Sequence, residues 1–227
     1  MSTLHYKWGD NGEHMVEMKE MTIDEFAKVL SSSEPVPGGG GASGLVAALG
    51  MSLGNMVLAL TTGKKKYAVH QQEIEESMKK ADELKEKLLL SIDRDAEAFE
   101  PLSKAYSLPR ESDEEKAYRD EVMKKALVTA SEAPLEQMRL IYDAMMLIRR
   151  ISEIGSTLAI SDAGAAIQFA FAALKASSLN VYINTKLMKD RKIAEEMNER
   201  ADVMIAEAEQ IYEETYTGVL SMIKGGE

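Results

Sequence analysis

Two carboxylates on one long amphipathic stretch are the first residues here that could do chemistry. From about residue 69 to 107, Ile74, Met78, Ala81, Leu84, Leu88, Ile92, Phe99 and Leu102 recur every three or four residues, which predicts a helix with one buried stripe. Asp95 takes a slot in that stripe, with Asp93 on its flank. A buried carboxylate needs a partner or a raised pKa, and a carboxyl so tuned is what general acid–base chemistry uses. The plainer alternative is that Ala96 fills that turn of the stripe. Asp162, next to Ser161, is a third acid; its plain role is a first-turn carboxylate favoured by the helix dipole. Lys64, Lys65 and Lys66, followed by Tyr67, offer cations to an anionic group, or simply a solvated helix end. Asn55 is a polar residue inside an otherwise uncharged stretch.

The glycine run Gly38, Gly39, Gly40, Gly41, followed by Ser43, is the other candidate site. Pro35 and Pro37 set an extended lead-in, and the glycines allow a backbone path that residues with a Cβ resist. A helix from about Ala42 to Thr62 would then present free N–H groups and a positive dipole end to a ligand. No Gly-Lys-Ser/Thr follows at phosphate-loop spacing and no strand leads in, so nucleotide binding is not supported. Gly44, Ala47, Ala48, Gly50, Ser52 and Gly54 keep that helix thin, which suits close packing by another helix or a flat ligand.

The remaining elements are also helical. Thr22 with Glu25 and Ser112 with Glu115 are capping boxes. The first opens a short helix with Phe26, Val29 and Leu30 facing inward. The second opens a helix to about Ser152, in which Pro134 should produce a kink or a break. Gly155 ends it, and an irregular piece leads to Ser161 as the N-cap of a second small-residue helix. The last helix carries Met197, Ala201, Met204, Ala208, Ile211, Thr215, Val219 and Met222 on one stripe. Nothing alternates with period two. The expected fold is all-α: residues 1–20 as an N-terminal arm, and 21–227 as a single bundle of long helices with two buried small-residue helices. A net charge of −11 argues against nucleic acid as partner, and the absence of cysteine excludes thiol chemistry. Three scattered His without H-E-x-x-H point to no metal site. Residues 45–60 are apolar, but Ser52, Asn55 and the glycines favour a core helix over a membrane span, so the expectation is a cytoplasmic protein with no membrane partner.

The run Pro35-Val-Pro-Gly-Gly-Gly-Gly-Ala-Ser-Gly44, with Gly63-Lys-Lys-Lys-Tyr67 beyond it, resembles the formiminotransferase-cyclodeaminase C-terminal family. Asp93-Arg-Asp-Ala-Glu-Ala-Phe99, Ala133-Pro-Leu135, Ser161-Asp162 and Asn180-Val-Tyr-Ile-Asn184 agree in order, so the resemblance spans roughly residues 22 to 220. The chain departs from bifunctional relatives at Ser156, where they carry Asn. The resemblance implies an all-helical homodimer or higher oligomer acting on a tetrahydrofolate derivative, with no cofactor beyond that substrate and a pocket that two subunits can share. It implies Asp95 or Asp93 as acid–base and Asp162 as an orienting group. The glycine run, Ser43 and Asn55 would line the pocket, and Lys64, Lys65, Lys66 and Tyr67 would receive a polyglutamate tail. Formimidoyltetrahydrofolate cyclodeaminase is placed first, methenyltetrahydrofolate cyclohydrolase second, and a non-catalytic helical dimerisation protein third.

Overall fold

The computed structural model describes residues 17–225. The helices are α1 (Ile23–Leu30), α2 (Gly39–Ala59), α3 (Gln71–Tyr106), α4 (Asp113–Ile154), α5 (Ile160–Thr185) and α6 (Arg191–Lys224). Short 3-10 turns at Met18–Glu20, Lys65–His70 and Thr157–Ala159 complete the described residues, which contain no strand, as expected of an all-α chain. Most of the expected N-terminal arm lies outside the described residues. Its last part is tied down, since the Met18 N–H donates to Asp93 Oδ1 at 2.6 Å.

Both capping boxes form: Thr22 and Ser112 accept from the N–H groups of Glu25 and Glu115, whose carboxylates reach back. Phe26 is buried, but Leu30 is exposed rather than inward-facing, because α1 packs only one short edge. Met222 likewise emerges from the last stripe near the end of α6. The predicted stripes otherwise make the core, in which Met51, Leu88, Met138, Ile141, Met145, Ile148 and Ile151 are fully buried.

α3, α2, α5 and α6 are neighbours in that order, and α4 crosses behind them in contact with all of these helices. The two small-residue helices pack on each other. A Cβ on Gly50 would lie 3.0 Å from the Ala166 carbonyl oxygen, so glycine there lets the backbones touch. Contacts pair Gly39 with Asn180 and Gly50 with Ala166 and Ala170, so α2 and α5 run antiparallel. By length and composition both could cross a membrane, yet half of each apolar window is buried inside the bundle.

Pro134 neither breaks nor ends α4, so of the expected kink or break, the break does not occur. A proline removes the N–H that would bond the carbonyl four residues earlier, which here is Ala130. The buried Asn184 side chain donates to that carbonyl at 2.8 Å. A partner from α5 thus replaces the missing bond, and the helix continues. Ser161 is not an N-cap: the helix has already begun at Ile160 behind the 3-10 turn, with Ala159 in the capping position.

Candidate functional site

Helix α2 begins inside the glycine run rather than after it. Gly38 is the N-cap, and Gly39, Gly40 and Gly41 form the first turn, three residues ahead of the expected start. No capping side chain closes this turn, so its leading N–H groups depend on neighbouring elements or a ligand. Asp95, projecting from α3, lies directly on it. A Cβ at Gly40 would sit 2.2 Å from the Asp95 carboxylate, so only glycine leaves room for the acid. Partial burial pushes the Asp95 carboxyl up to about 6, while the Gly41 N–H pulls it back down. The group therefore titrates near neutrality, where an acid–base catalyst works best.

The other residues expected at this end have different fates. Ser43 is buried and its hydroxyl donates to the Gly39 carbonyl at 2.7 Å, so it closes the first turn of its own helix. Asp93 faces the N-terminal segment through Met18, with its second oxygen buried and without a hydrogen-bond partner. Two residues not singled out as site candidates stand here. Asn180, from α5, sets its carboxamide 3.7 Å from the Cβ position of Gly39, beside the glycine backbone. Gln137, buried on α4, donates to the Gly40 carbonyl at 3.1 Å. Asn180 was visible within the Asn-Val-Tyr-Ile-Asn piece; Gln137 carried no signal beyond being polar on an apolar face.

Asn55, Lys64, Lys65, Lys66, Tyr67 and Asp162 lie toward the other end of α2. That helix has 21 residues, or about 31 Å at 1.5 Å per residue, so one subunit does not gather all the candidates into one pocket. Asp162 is in the first turn of the antiparallel α5, far along that helix from Asn180. Its expected role beside Asp95 is therefore not met within a single chain. Asn55 donates to Asp82 on α3 at 3.0 Å.

The lysine end has its own construction. Thr61, buried at the end of α2, accepts from the Ser156 N–H at 2.7 Å, and the Thr157 N–H donates to the Tyr67 hydroxyl at 3.1 Å. The bond from Thr157 pulls the phenol down to about 7, with Ser156 and Lys66 assisting. Lys66 Nζ also stands 5.3 Å from the centre of the Tyr67 ring. Ser156, noted in the sequence only as a departure, thus helps hold the tyrosine. Lys64, Lys65 and Lys66 are all exposed. Among the described residues no group of three or more His, Cys, Asp or Glu is arranged to hold a metal ion.

The sequence profile of the formiminotransferase-cyclodeaminase family matches residues 22–203. The chain belongs to this family. A methenyltetrahydrofolate cyclohydrolase from Methylorubrum extorquens is 40% identical over 89% of this chain and 97% of its own length. The formimidoyltransferase-cyclodeaminase of Gallus gallus is 25% identical over 83% of this chain, which spans only 35% of that relative. Among solved structures, the formiminotetrahydrofolate cyclodeaminase of Thermotoga maritima superposes with a TM-score of 0.77 at 28% identity, covering 92% of this chain and 98% of that one. The family's all-helical fold and the Asp95–glycine arrangement are thus seen together in this chain.

Proposed function

We propose that this chain is a methenyltetrahydrofolate cyclohydrolase, converting 5,10-methenyltetrahydrofolate and water to 10-formyltetrahydrofolate. The observation that carries the reading is Asp95, a carboxyl raised to about 6 and laid directly on a glycine backbone. The 40% match over nearly the full length of both chains supports the hydrolase and reverses the order expected from sequence. The reaction needs little else. As carboxylate, Asp95 attracts the cationic methenyl bridge and takes a proton from the attacking water. The new C–O bond gives a tetrahedral carbon, and the bond from that carbon to N5 breaks as N5 takes a proton. A cation and water become a neutral formyl product and one released proton, with no change of oxidation state. Asn180 offers a donor and an acceptor to the amide edge of a pterin beside the glycine turn.

Cyclodeamination is the second reading, favoured by the fold match to a solved cyclodeaminase. There the same carboxyl would move protons between N10 and departing ammonia. The methenyl absorbance separates the two. With purified protein, hydrolase activity speeds its decay from methenyltetrahydrofolate above the blank, whereas deaminase activity makes it rise from 5-formiminotetrahydrofolate with release of ammonia. Silence in both cuvettes would contradict both readings.

The setting we propose is a cytoplasmic homodimer. Val46, Leu49, Met56 and Leu60 form an exposed stripe on α2, and Phe169, Leu179 and Ile183 form one on α5. These are adjacent antiparallel helices whose other faces are covered by the bundle. A second copy seated there about a two-fold axis would cover this apolar surface and bring the lysine end of one subunit toward the glycine end of the other. An anionic polyglutamate tail would then meet Lys64, Lys65 and Lys66 while the pterin lay at Asp95. Sedimentation should give twice the chain mass, and Leu49→Lys should give a monomer with impaired turnover. A wild-type monomer with full activity would overturn this arrangement.

A further inference from the structure

We infer that Gln137 is a positioning residue for the Asp95 centre: its carboxamide pins the Gly40 carbonyl, and so the backbone on which the Asp95 side chain rests. The inference rests on the reading of Asp95 as the acid–base group. Gln137 is 2% exposed, deep on the inner face of α4. Its Nε2 donates to the Gly40 carbonyl at 3.1 Å and to Ser91 Oγ at 2.9 Å. Its Oε1 accepts from Ser177 Oγ at 2.7 Å. One carboxamide on α4 thus ties together the first turn of α2, the middle of α3 and the middle of α5.

The surroundings are built to admit it. A Cβ at Gly44 would stand 2.9 Å from both Gln137 Nε2 and Ser91 Oγ, so α2 carries glycine where the carboxamide crosses. Ser91 sends its own hydroxyl hydrogen to the Leu88 carbonyl and is left free to accept. Ser177 is within 3.3 Å of the Pro134 carbonyl, which anchors the network where α4 lacks a backbone donor. A position that only filled space would be served by an apolar residue, as its neighbours Met138 and Ile141 are; a buried amide is stable only with its bonds made. What those bonds fix is the Gly40–Gly41 segment. The influences on the Asp95 carboxyl are its burial and the Gly41 N–H, while Asp93 on the same helix is turned toward Met18.

The test is Gln137→Met, similar in size and without the donor, assayed with 5,10-methenyltetrahydrofolate alongside D95N. A 1 Å displacement of a reacting group can cost on the order of a hundredfold in rate, so kcat per folded subunit should fall about 10- to 100-fold while KM changes little. The acidic midpoint of the kcat profile should also move upward, because the Gly41 N–H is no longer held toward the carboxyl. A purely structural glutamine would lower Tm and leave kcat per folded subunit and the midpoint where they were; that result overturns the inference. If Q137M does not fold, Ser177→Ala removes only the anchor of Oε1 and should shift the same two quantities less; unchanged values there overturn it equally. A D95N enzyme that turns over like wild type removes the Asp95 reading and this inference with it. An inactive D95N beside a normal Q137M removes the inference alone.

Discussion

The two ends of α2 solve opposite electrostatic problems. At the glycine end a carboxyl is drawn out of water onto bare backbone, and burial holds its pKa above the ordinary range. At the lysine end a phenol is left near the surface and surrounded by donors, which hold its pKa below the ordinary range. The first end holds an acid that gives up its proton only near pH 6, and the second favours negative charge. What separates them is the length of one helix, and what makes either possible is the absence of side chains, since the glycines both admit Asp95 and let α5 lie close. The difference teaches that, under the proposed reading, chemistry and anion binding would be divided along the helix rather than gathered at one point. For a substrate with a cationic reactive bridge and an anionic tail, that division is useful.

Filling the glycine end should have the largest effect. In Gly40→Ala the new methyl takes the space of the Asp95 carboxylate, so turnover should fall by about 10²- to 10⁴-fold, the range expected when a positioned acid–base group is lost. Crowding should also lower stability by about 1–3 kcal/mol, readable as a drop in Tm. Asp95→Asn should match that loss of turnover with the opposite effect on stability. A carboxyl raised from 3.8 to about 6 in the folded state binds its proton more tightly folded than unfolded, so it costs stability as pH rises through that window. The full cost, at most about 3 kcal/mol by the usual 1.36 kcal/mol per pKa unit, is present above pH ~6. D95N should therefore melt higher than wild type at pH 8, with the advantage gone near pH 4. Two inactive variants moving Tm in opposite directions would sharpen the account of the glycine end; parallel shifts would break it.

The lysine end should respond more quietly. Replacing Lys64, Lys65 and Lys66 with alanine should raise KM for a polyglutamylated folate about three- to tenfold, given the modest worth of exposed charge pairs, and leave the monoglutamate nearly unchanged. An equal effect on both substrates would place the lysines away from the tail. Tyr67→Phe should have the smallest effect near neutrality. The folded phenol loses its proton at about 7, well below its ordinary value of 10, so wild type should gain stability over Y67F as pH rises between those values. Melting curves at pH 6.5 and 9 would show the gap widening.

Much of this was legible in the sequence because it follows from period and capping chemistry. The stripes, both capping boxes, the pairing of the two small-residue helices and the odd place of Asp95 are consequences of residue type at fixed spacing. The start of α2 was not, because four glycines look like loop until tertiary neighbours hold them as a helical turn. The continuity of α4 through Pro134 was hidden for a related reason: the proline's cost is local, but its remedy, Asn184, is 50 residues further along the chain. Gln137 and Asn180 were missed because their meaning lies in which backbone atoms they meet. The gap between Asp95 and the lysines likewise follows from the length of α2, which a list of motifs in order does not display.

The most direct test is the decay of 5,10-methenyltetrahydrofolate absorbance followed across pH for wild type and D95N at equal folded concentration. The account predicts that wild type accelerates the decay, that its kcat falls away below a midpoint near pH 6, and that D95N stays close to the blank throughout. A D95N enzyme as fast as wild type, with the same pH profile, would contradict it.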